Sequence, residues 1–220
     1  MSAVLFRSAI VAIVVFSTVF LPEAALAQNS PAGAPPDSES DEHAVADTAQ
    51  FLGGAALAFG AHEAGHLIFD VIFQTNPRIT PVHFGPIPFF AVTHDGGQPA
   101  RIEYTISSAG FWVQEASNEW LLTARPSLRD EHAPLAKGLF AFNVLNSVGY
   151  GIVAFARAGP YERDTRGMAQ SIGVAEPVIG AMVMAPALLD AYRYYRPDSR
   201  WAKWASRAVK AGSVLLVFKR

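Results

Sequence analysis

From Phe51 to Phe73 nearly every position is apolar, over a length that crosses a bilayer as a helix, and Pro77 closes the run. Residues 79 to 107 then turn β-branched and aromatic, with Gly96-Gly97 and several prolines as breaks, which predicts a short hairpin or a pair of extended strands. Residues 108 to 124 read as a helix carrying Gln114, Glu115, Asn118 and Glu119. Residues 125 to 134 are a polar loop. Residues 136 to 156 are a second spanning candidate with Asn143 and Asn146 inside it, and a loop follows over 157 to 167. Residues 172 to 192 are a third span, interrupted by Pro177 and Pro186. The pattern predicts a mainly α fold: a polytopic membrane helix bundle of about three to four spans, with a β-prone hairpin between the first two helices.

The two ends differ from this core. Arg7, the apolar run 9 to 21, Pro22 and the small-x-small "ALA" at 25 to 27 make residues 1–27 a secretory signal, or else an uncleaved anchor. Residues 28–49 are rich in Pro, Ser, Ala and acids and read as a disordered linker. The expected membrane-embedded core is 50–193. The tail, 194–220, is basic and aromatic, with Trp201 and Trp204, and suits a membrane surface.

Composition agrees with a membrane protein. The 220-residue chain is 51% hydrophobic and only 16% charged, against about a quarter charged in soluble domains. A net charge of -2 lacks the basic character of a nucleic-acid binder, so none is expected as partner. With no cysteine in the chain, disulfides, thiolate metal sites and a cysteine nucleophile are excluded.

Chemistry is concentrated at His62-Glu63-Ala64-Gly65-His66, an HExxH motif inside the first apolar run. Residues four apart share a helix face, so both imidazoles reach one Zn²⁺ while Glu63 lies close enough to act on water as general base. Ionisable groups inside an apolar span are expensive and point to function. Asp70 lies about 12 Å along the axis from His62, too far to complete the same coordination sphere, and reads as a helix-end carboxylate or a partner of a ligand. The third ligand must come from elsewhere. Glu115 or Glu119 could serve, and Asp95 sits in an Asp-Gly turn of the hairpin type. His83, His94 and His132 fall in polar or extended segments and read as surface residues.

With "HEAGHLIFD" in an apolar span, then "HFGPIPFFAV", "SSAGFWVQEASNEWLL" and "FNVLNSVGYGIVAFARAGPYERDTRGMA", the chain resembles the site-2 protease family of intramembrane zinc metalloproteases. The likeness runs over residues 51 to 190. The chain departs from the family pattern in three ways: Phe111 stands where a proline follows Gly110, the Asn-x-x-Pro run leading into Asp-Gly is not intact, with Asn146 well upstream of Asp164, and Asp164 is followed by Thr165 rather than glycine. The resemblance implies an aspartate as third ligand on a later segment, for which Asp164 is the best match. It also implies that asparagines of the 136–156 span, here Asn143 and Asn146, hold the substrate backbone or polarise its carbonyl. Hydrogen bonding between spans is the other reading of these two side chains.

The expected protein is therefore an integral, multi-pass zinc metalloendopeptidase of a bacterial inner membrane. It hydrolyses a membrane-protein or peptide substrate in or next to the bilayer. Helical substrates resist proteolysis, so the substrate must be extended, and 79 to 107 offers a strand edge for it. A membrane metal-binding or transport protein using the same histidines is the alternative. A catalytically silent scaffold is a third reading.

Overall fold

The computed structural model describes residues 38–84 and 87–219. The signal-like residues 1–27, and the linker up to residue 37, lie outside the described residues. Helix α1 (Ser38–Phe73) leads into an antiparallel hairpin of β1 (Arg78–Phe84) and β2 (Ile87–Thr93). Then follow α2 (Ala100–Ala124), α3 (Pro134–Ala156), the short α4 (Asp164–Ile172), α5 (Glu176–Tyr195) and α6 (Arg200–Leu215). The fold is mainly helical with one two-stranded hairpin.

Two boundaries differ from expectation. The helix begins at Ser38, so residues 38–49 are not an unstructured linker. Acidic residues there suit the first turns of a helix, whose exposed N–H groups carry partial positive charge. Helix α2 begins at Ala100, so the extended reading of 100–107 fails. The β-branched residues suggested a strand, but Tyr104 and Ile106 fold into the buried side of α2 after Pro99.

Contacts set the helix directions. Helix α1 runs parallel to α3: Asp47 meets His132, Phe59 meets Phe142 and His62 meets Tyr150. Helix α2 runs antiparallel to both, with Ala109 against Gly65 and Asn118 against Asn143. Helix α5 is antiparallel to α3, through Gly180 at Gly151 and Tyr194 stacked on Phe140. Glycines allow the closest crossing: a Cβ on Gly54 would collide with the Leu135 carbonyl, and one on Gly138 with the Phe51 carbonyl. Small residues at such crossings are how helices pack where no hydrophobic effect drives association.

Among the described residues, two helices are long and apolar enough to cross a membrane, Glu42–Phe73 and Pro134–Ala156. Helix α5, the third expected span, is not among them, and it carries Pro186 in its interior. The outer face of α1 stays uncovered, with Leu52, Leu57, Leu67, Ile68, Val71 and Ile72 all exposed.

Candidate metal centre

The site is built where α1, α2 and α4 meet. His62 and His66 are buried on one face of α1. Asp164, the first residue of α4, reaches the same point from 102 positions away. His62 Nε2 lies 3.3 Å from Asp164 Oδ2 and 3.3 Å from His66 Nε2, and His66 Nε2 lies 3.5 Å from that carboxylate oxygen. A tetrahedral zinc with bonds of about 2.0–2.1 Å separates its ligand atoms by about 3.3–3.4 Å. The three donor atoms therefore fit zinc in spacing as well as in type.

Neighbours fix two of the three donors. His66 Nδ1 donates to the Ile106 carbonyl at 2.7 Å, which leaves Nε2 as the free electron pair facing the centre. Burial alone would push the Asp164 carboxyl up, but the His66 and His62 imidazoles outweigh it and hold Asp164 well below the usual carboxylate range. Arg163 forks onto Glu176 with both nitrogens at 2.6 Å, and Thr165 donates to the same glutamate. Those bonds pin both sides of Asp164. Glu63, half-buried, lies between the two histidines along α1.

The remaining sequence candidates lie elsewhere. Asp95 pairs with Arg78 and Asn76 at the base of the hairpin. Glu119 is held by Arg193, Arg207 and Lys210, and Glu115 accepts from Ser213. Asn143 donates to Asn118 at 2.9 Å and Asn146 to Gln114 at 3.4 Å, so both amides bridge α3 to α2. No family model, curated protein or solved structure matches the chain.

Three contributors were not singled out by sequence reasoning. The ring of Tyr150 lies 6.1 Å from that of His62 and 5.1 Å from that of Phe111. Its signal was a phenol hydroxyl within the apolar run of α3, one turn from Ser147. Gly110 passes so close to the histidines that a Cβ would lie 2.5 Å from the His62 ring and 2.6 Å from His66 Nε2. The third is His94, which is not a surface residue. Its Nδ1 is 3.3 Å from Asp70 Oδ1 and its Nε2 is 3.0 Å from Glu103 Oε2. Asp70 is fully buried near the end of α1, so His94 ties the hairpin to both α1 and α2.

This tie carries a pH signature. The hydrogen bond to Glu103 raises the His94 pKa above 6.5, and the same bond lowers that of Glu103 below 4.5. A raised histidine stabilises below its unfolded pKa and loses that contribution as pH rises through the folded one. A lowered carboxyl stabilises above its unfolded pKa and loses it as pH falls through the folded one. The full contribution is therefore present between about 4.5 and 6.5. Glu103→Gln is expected to lower the thermal midpoint most within that window and progressively less at alkaline pH. A gap that widens above pH 8 contradicts the assignment.

Proposed function

We propose that the chain is a multi-pass membrane zinc metalloendopeptidase of the site-2 protease type, cutting peptide bonds in or next to the bilayer of a bacterial inner membrane. The observation that carries the reading is the convergence of His62, His66 and Asp164 at tetrahedral spacing, with Glu63 beside them. Zinc held there supplies Lewis acidity, acidifying water and polarising a scissile carbonyl. Glu63 takes the proton from the attacking water and delivers it to the departing amine. Arg163 and Thr165, both bonded to Glu176, keep Asp164 in place, and the Ile106 carbonyl keeps His66 in the required tautomer. The two-stranded hairpin leaves outer strand edges on which an extended substrate can pair. Bilayer residence is supported by the apolar outer face of α1, where water would be an unfavourable neighbour.

Elemental analysis of detergent-purified protein tests the metal directly. One zinc per chain is expected, lost in His62→Ala and sharply reduced in Asp164→Ala. Glu115→Ala, Glu119→Ala and Asp95→Ala should retain it. Stoichiometric zinc in the His62→Ala, His66→Ala double variant refutes the centre, and a larger loss in one of the three control variants than in Asp164→Ala reassigns the third ligand.

A further inference from the structure

Helix α6 is inside out. Its buried stripe is Ala202, Ser206, Lys210 and Ser213, while Trp201, Trp204, Ala208, Ala211 and Leu215 recur at helical spacing on the opposite, exposed face. The contrast is large. Ser206, Lys210 and Ser213 are 0%, 8% and 8% exposed, whereas Trp201, Trp204 and Leu215 are 61%, 66% and 62% exposed. A helix in water does the reverse, burying its apolar stripe and turning its charges outward.

The polar stripe faces a complete set of partners. Lys210 Nζ lies 2.8 Å from Asp190 and 3.3 Å from Glu119. Arg207 donates to Glu119 at 2.8 Å, Ser206 to Asp190 at 2.7 Å and Ser213 to Glu115 at 3.4 Å. From α5, Arg193 joins Glu119 and Asp190. Three carboxylates and three cations thus meet between α2, α5 and α6. A helix lying on a membrane surface, as the tail is expected to do, needs its polar face in water. In α6 the centre of that face, at Ser206, Lys210 and Ser213, is taken by α2 and α5, Arg207 stays part-exposed at its edge, and the opposite face is apolar.

We infer that α6 lies within the bilayer, with lipid acyl chains as the partner of its Trp201–Leu215 face, and that neutralisation of Lys210 and Arg207 by Glu119 and Asp190 is what permits it. Its sixteen residues extend about 24 Å, most of a hydrocarbon core of about 30 Å. Trp201 and Trp204 fall at the same end of the bundle as exposed Trp120, Tyr192 and Tyr195, a belt suited to the headgroup level. Four cations hide this helix from hydropathy, and two of them, Arg207 and Lys210, are paired only with side chains distant in sequence. The inference rests on the membrane placement proposed above and is independent of the peptidase chemistry.

Because the chain has no cysteine, single-cysteine labelling reads the environment of each position cleanly. The full-length protein is reconstituted in phosphatidylethanolamine–phosphatidylglycerol vesicles, with an impermeant maleimide supplied on both sides. Ala208→Cys, Ala211→Cys and Leu215→Cys are expected to label at least tenfold more slowly than Asp198→Cys in the exposed α5–α6 turn. Leu57→Cys on the outer face of α1 should be equally shielded. Adding Glu119→Gln to Ala211→Cys should raise its labelling while Leu57→Cys in the same background stays shielded; unchanged labelling refutes the role of the ion pairs. Shielded Leu57→Cys with freely labelled α6 positions overturns the inference and leaves the membrane placement intact. Free labelling of Leu57→Cys overturns both. Oxidation of Ala208→Cys to a disulfide-linked dimer at high lipid dilution overturns acyl chains as the partner in favour of a second copy.

Discussion

Glu63→Gln is expected to lower peptide hydrolysis by about 10² to 10⁴-fold while leaving zinc in place. The reason lies in the division of labour along one turn of α1. His62 and His66 are buried and present Nε2 to the centre, whereas Glu63 is half-buried and supplies none of the three converging donor atoms. Glutamine keeps the volume and hydrogen-bonding shape but cannot accept a proton. Zinc content by elemental analysis and cleavage of a tagged single-span protein, measured side by side in wild type and variant, check both halves of the expectation. Equal cleavage refutes Glu63 as the base. Transport of metal by Glu63→Gln at the wild-type rate favours the transporter, which has no use for a base.

Gly110→Ala is expected to weaken zinc binding by about 100-fold or more, although it adds a single methyl group and no charge. The added carbon would lie 2.5 Å from the His62 ring and 2.6 Å from His66 Nε2. Buried imidazoles at that distance must rotate, and rotation destroys the 3.3 Å donor spacing. Alanine favours helix over glycine by about 1 kcal/mol, so the variant should fold. Gly53→Ala, on the same helix as the histidines but with no atom within 4 Å of the new carbon, is the matched control and should keep its metal. A competition titration against a zinc chelator measures both. Unchanged affinity in Gly110→Ala would show that α2 does not form the floor of the centre.

Local periodicity made part of this protein legible. The spacing of His62 and His66 sets them on one helix face regardless of what packs against it, and the structure has them together on α1. The apolar runs around Phe51–Phe73 and 136–156 became helices of spanning length for the same local reason. The hairpin followed from its β-branched and aromatic strands, but neither its turn nor its end did: β1 ends at Phe84 and β2 begins at Ile87, so Asp95-Gly96-Gly97 lies beyond the second strand and not between the two. Strand-like side chains at 100–107 were overridden by burial of Tyr104 and Ile106 in α2.

The sequence by itself determined the motif, the apolar stretches and the shortage of charge, because each is a property of neighbouring residues. Tertiary structure alone decided that Asp164 meets two histidines 102 and 98 positions before it. It decided that Gly110 must lack a side chain, and that His94 is tied to Asp70 and Glu103 rather than exposed. The tail is the clearest case. Read alone, Arg200, Lys203, Arg207 and Lys210 make α6 a basic helix suited to a membrane surface. Arg207 and Lys210 are instead paired with Glu119 and Asp190, from α2 and α5, and a pattern within one helix carries no information about which carboxylates will stand opposite it.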